Sequence, residues 1–191
     1  MLRNGNETFG LVTILFHWII ALLFIGQLVL GVTTQWVHSM ALQFVLIQWH
    51  KSFGFLLLGL SILRLAWAGT QTRPRAVATL GKVERFAAWV VQSLLYLLLL
   101  ALPMAGWALV SSSTLDVPSF AFNLVIIPDL PLVRSEAGEN FWRGAHLWLA
   151  YGTAALVAGH MGAALRHHFW VGDNVLKRML RPSRELDEPW R

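Results

Sequence analysis

Four histidines stand within or at the mouth of long apolar runs: His17, His50, His146 and His160. Imidazole can ligate a metal or carry a proton near neutral pH. A polar side chain in hydrocarbon is costly and usually faces a partner. For one such residue, a hydrogen bond to a neighbouring helix explains as much as a ligand role does. The four together say more. His146 and His160 are fourteen residues apart, which in a helix is a rise of about 21 Å and a rotation within about 40° of whole turns. They share one face at opposite depths. If successive segments run in alternating directions, His160 levels with His17 and His146 with His50. One zinc or iron ion cannot gather ligands from levels about 21 Å apart. Two imidazoles at each level, on facing helices, suit the two axial positions of a haem, and iron with both positions filled by His transfers electrons rather than binding oxygen.

The elements that position these residues are membrane spans. Apolar residues make up 56% of the 191, charged residues only 13%, and the mean hydropathy is +0.56; a soluble domain needs more charge than that at its surface. A bilayer core about 30 Å thick takes roughly 20 apolar residues of helix. Residues 11–33, 52–67, 86–110 and 144–165 qualify, with Arg64 close enough to the end of the second run to snorkel. The first run is too long for a signal-peptide core and lacks a small-residue cleavage site. Cysteine is absent, which excludes disulfides, thiolate metal sites and covalent haem attachment. Ten tryptophans suit a membrane interface. The expected fold is an all-α integral-membrane four-helix bundle, a single domain over 1–191 with two non-covalent b-type haems. Glycines near the histidines (Gly54, Gly159) and elsewhere in the spans (Gly26, Gly106, Gly152) could make room for a macrocycle or serve helix packing.

The formal charge of +5 does not indicate nucleic acid, because the basic residues flank apolar runs. Arg3, Arg64, Arg73, Arg75, Lys82, Arg85, Arg166, Lys177, Arg178, Arg181, Arg184 and Arg191 fall on one side, and Lys51, Arg134 and Arg143 on the other. That asymmetry puts both termini in the cytoplasm and loop 111–141 outside. His17 and His160 then hold an inner haem, His50 and His146 an outer one. His38 is expected to be solvated.

The chain resembles the bacterial cytochrome b561 family over roughly residues 9–182. The resemblance is carried by FHWIIALLF around His17, QWHKSFGFLLLGLSILRLAW around His50, SLLYLLLLALPMAGW in the third run, and GAHLWLAYGTAALVAGHMGAALRHHFWVGDNVLKRML in the fourth. It implies a small di-haem membrane cytochrome with axial pairs His17–His160 and His50–His146. Some members resemble superoxide oxidases that reduce ubiquinone; related cytochromes are membrane subunits of hydrogenases and dehydrogenases. Many relatives carry a histidine four residues before the tyrosine of the third helix, where this chain has Gln92 before Tyr96. That departure leaves the four paired histidines intact.

Two further clusters have two readings each. His167 and His168, after Arg166 at the inner interface, are either a wet helix end or, with Lys82, a polar cluster beside the inner haem. There they would bind a propionate or a quinone head group, His167 serving as hydrogen-bond partner and proton source and Lys82 as cationic partner. Lys51 directly follows His50 and Arg143 lies three before His146. These cations either pair with propionates or phospholipid, or form a local positive funnel that speeds docking of a small anionic donor such as superoxide. Two redox functions remain open: a self-contained oxidoreductase linking an outer one-electron donor to the quinone pool, and an anchor cytochrome fed by a separate partner protein. A transporter or structural bundle without cofactor leaves the paired histidines unexplained.

Overall fold

The computed structural model describes residues 1–182; Arg184 and Arg191, two of the cations used to orient the chain, lie outside the described residues. Four long helices dominate: α1 (Leu11–Trp36), α2 (Met40–Gly69), α3 (Lys82–Ser112) and α4 (Glu136–Arg166). The first three are long and apolar enough to cross a membrane. In α4 two histidines, five glycines and an acidic first turn dilute the apolar run, and it is not among them. The architecture agrees with a helical membrane bundle.

The helices run past the apolar limits expected for them. Residues 40–51 are helical, so His50 and Lys51 sit in the interior of α2 rather than ahead of it. Only three residues separate α1 from α2, and His38 among them is exposed. The charged stretch before Gly144 is also helical. Ser135 caps it through Oγ, which accepts from the Gly138 amide at 3.1 Å, and Glu136 and Glu139 complement the positive end of the helix.

Loop 111–141, for which the sequence offered no motif, contains an antiparallel hairpin of β1 (Ser119–Ala121) and β2 (Val125–Ile127). Phe122 and Asn123 turn it with φ of 53° and 56°. Ser52 on α2 fastens the hairpin: its Oγ lies 2.9 Å from the Phe120 carbonyl and accepts from the Phe122 amide at 3.0 Å. Phe122 also meets the rings of Trp49 and Phe53. Beyond β2, Trp107 Nε1 donates to the Pro128 carbonyl, and Ser111 Oγ accepts from the Leu130 amide.

The chain divides into two compact units, each drawing on all four helices. One comprises Met1–Ile19, Ile62–Tyr96 and the chain from Ala155 on; the other comprises Ile20–Ser61 and Leu97–Ala154.

Candidate functional site

Each unit contains one facing pair of histidines. In the first, the rings of His17 (α1) and His160 (α4) have centroids 6.3 Å apart with planes at 66°. In the second, His50 (α2) and His146 (α4) are 6.1 Å apart at 90°. An imidazole nitrogen lies about 2.0 Å from a first-row metal ion and about 1.1 Å from its own ring centre, so rings on opposite sides of one ion have centres about 6.2 Å apart. Both separations match that span. Among the described residues no group of three or more His, Cys, Asp or Glu could hold a metal ion, whereas structural and catalytic zinc sites use three or four protein ligands. A donor set of two opposed imidazoles fits a metal whose other positions a macrocycle already fills.

The second unit shows how its pair is built. The His146 Nδ1–H donates to the Leu102 carbonyl of α3 at 3.0 Å, which leaves Nε2 free to ligate. One turn further along α3, a Cβ on Gly106 would stand 3.0 Å from Cε1 and 3.1 Å from Nδ1 of this ring. Glycine at that position admits the imidazole. On the opposite side, Gly31 of α1 does the same for His50, with a would-be Cβ 3.2 Å from Cε1. One turn before it, the Gln27 side-chain amide donates to the His50 carbonyl at 3.0 Å. His50 Nδ1 is buried with no partner of its own. Of the glycines singled out in the sequence, only Gly106 touches a ring; Gly26, Gly54, Gly152 and Gly159 have open space where a side chain would be. Gly31 and Gln27 were missed, because neither lies near a histidine in the chain.

The first unit differs. His17 Nδ1 lies 3.4 Å from Arg64 NH2, and the Arg64 guanidinium lies over the Tyr96 ring, 5.1 Å from its centroid. Arg64, near the end of the second apolar run, thus turns toward the histidine pair. Gln92 is exposed on α3.

After α4 the helix widens into one π turn, His167–Val171, and ends at Gly172 with φ of 72°. Single π turns recur at functional sites. Here the turn brings His167 back to Asp173: Nδ1–H donates to Oδ2 at 2.7 Å, and both side chains are buried. Thr79 donates to the same oxygen at 2.9 Å, and the Val175 amide to Oδ1 at 3.0 Å. Burial alone would raise the Asp173 carboxyl, but these hydrogen bonds hold it below its ordinary range. Lys82 is exposed at the start of α3 and no hydrogen bond or ion pair joins it to His167. Asp173 was visible in the sequence only as part of a motif; its role depends on the π turn. His168 Nδ1 is buried without a partner.

The cations in the other unit are compensated. Arg143 pairs with Glu139 one turn earlier on α4. Lys51 Nζ donates to the Pro118 carbonyl at 3.3 Å, and Asp129 lies close enough to act on its charge. Both reduce the field that an anion would feel there.

Residues 8–182 match the family described as prokaryotic cytochrome b561. The chain is also 30% identical over 189 residues to cytochrome b561 homolog 2 of Escherichia coli (strain K12), an alignment covering 94% of this chain and 95% of that protein.

Proposed function

Because the chain belongs to the prokaryotic cytochrome b561 family, membrane proteins that carry electrons across the bilayer on b-type haem, we propose that it holds two haems, one on His17 and His160 and one on His50 and His146. The observation that carries this reading is the pair of imidazole couples, 6.3 Å and 6.1 Å between centroids, one in each compact unit. Bis-imidazole iron supplies one-electron transfer with no position open for oxygen.

The residues around the couples do the positioning. The Leu102 carbonyl fixes the tautomer of His146, Gly106 and Gly31 set how closely α3 and α1 approach the rings, and Gln27 holds the backbone of α2 at His50. Ser52, which fastens the hairpin, lies on the same helix, two residues past His50. The whole chain acts as one domain of four spans in the bacterial inner membrane, α4 crossing as the fourth and both termini cytoplasmic, as the distribution of Lys and Arg favours.

The acceptor in this reading is a quinone, such as ubiquinone, at His167. Its Nδ1 proton is committed to Asp173, so Nε2 is the atom that meets the head group and takes up or hands on a proton. Reduction of a quinone to the quinol consumes two electrons, delivered singly, and two protons. The donor is a one-electron reductant on the outer side. Superoxide, which gives one electron and leaves as dioxygen, remains a candidate, although Glu139 and Asp129 diminish the attraction that Lys51 and Arg143 offer it.

Quinone reduction by purified protein tests the assignment. His167→Ala should slow it at least tenfold with both haems retained; a wild-type rate and affinity would end the role of His167. Obligatory co-purification of a soluble dehydrogenase or hydrogenase, with no quinone reduction by the isolated chain, would favour the anchor-subunit alternative.

A further inference from the structure

Arg64 is a cation within α2, in a stretch apolar enough to cross a membrane. Among the described residues no carboxylate forms an ion pair with it; its neighbours are His17 and the Tyr96 ring. An ionised side chain in hydrocarbon normally has a counter-charge or a functional partner. Neither neighbour supplies the charge.

The contact with His17 also cannot persist if His17 ligates iron. Guanidinium only donates, so His17 Nδ1 is the acceptor at 3.4 Å and the imidazole proton sits on Nε2. Ligation through Nε2 requires that proton on Nδ1, where arginine cannot accept it. Ligation through Nδ1 displaces Arg64 outright. Either way, filling the His17–His160 couple frees a guanidinium in a site where no acid is offered among the described residues. Stacking on Tyr96 leaves the in-plane N–H fork available, and that fork matches a carboxylate bidentately. Haem b brings two carboxylates of its own.

We propose that Arg64 is the seat of a propionate of the haem held by His17 and His160, and that its charge raises the reduction potential of that haem. The inference rests on the two-haem reading above. A positive charge beside the iron site favours the reduced state, which carries one positive charge fewer.

Apo-protein in detergent, refilled with either protohaem or protohaem dimethyl ester, provides the test. With protohaem, Arg64→Met should lower the reduction equilibrium constant of the His17–His160 haem about tenfold, a fall of about 59 mV for a one-electron couple, and leave the other haem unchanged. With the diester, whose carboxylates are blocked, the charge still acts on the iron but the pairing is gone, so Arg64→Met should release the diester to apomyoglobin at the wild-type rate. Arg64→Lys, which keeps the charge, covers failure of the Met variant to assemble. It should release protohaem to apomyoglobin several-fold faster than wild type, and release the diester at the wild-type rate. An unchanged midpoint in Arg64→Met, or release accelerated equally for protohaem and diester, overturns the proposal. If His17→Ala retains full haem content, the two-haem reading itself has failed, a result distinct from either of those.

Discussion

The Cβ that Gly106 lacks would stand 3.0 Å from Cε1 of His146, closer than a side chain normally tolerates, and the Leu102 hydrogen bond keeps the ring from swinging away. Gly106→Ala should therefore force the ring out of line. Overpacking of this kind costs about 1–3 kcal/mol, a loss of about 5- to 150-fold in affinity for the haem on His50 and His146. Haem quantitation during dilution of the purified variant measures it; wild-type retention would show that the ring moves aside despite the hydrogen bond. Where His167 meets Asp173, the carboxyl is held below its ordinary pKa in the folded protein. A depressed carboxylate contributes stability that is present above its unfolded value of about 3.9 and is lost as pH falls through the folded one. The stability gap between wild type and Asp173→Asn should accordingly close as pH falls below about pH 4; a gap persisting undiminished at pH 3 would contradict it. The histidines were legible in sequence because imidazole is rare in apolar runs and its spacing encodes depth. Gly31, Gln27 and Arg64 were not, since their meaning lies in what faces them from another helix.

At the scale of elements, apolar content located the helices but not their ends. The expected second span started at residue 52, yet α2 begins at Met40, and Gln43, Gln48 and Lys51 find backbone carbonyls within reach. The hairpin was illegible for a different reason: its strands are three residues each, too short for alternation to register, and its turn uses Phe122 and Asn123 at positive φ rather than glycine. Ser52 holds it from α2. Ser52→Ala strands the Phe122 amide and the Phe120 carbonyl, at a cost of about 1–3 kcal/mol. Hydrogen exchange at Phe122 should accelerate roughly 5- to 150-fold while helix amides stay protected. Unchanged protection there would mean that ring contacts with Trp49 and Phe53 suffice to hold the hairpin.

For the molecule as a whole, the four-helix, apolar character and the family were readable from sequence, and the distribution of Lys and Arg gave an orientation that only topology mapping can test. The central claim is the assignment of one haem to each histidine couple, and pyridine haemochrome quantitation of wild type, His17→Ala and His50→Ala tests it most directly. The account predicts two low-spin haem b per wild-type chain. It predicts one in each variant, with the two variants retaining haems of different spectrum and midpoint. A single haem in the wild type, or loss of the same haem from both variants, would contradict it.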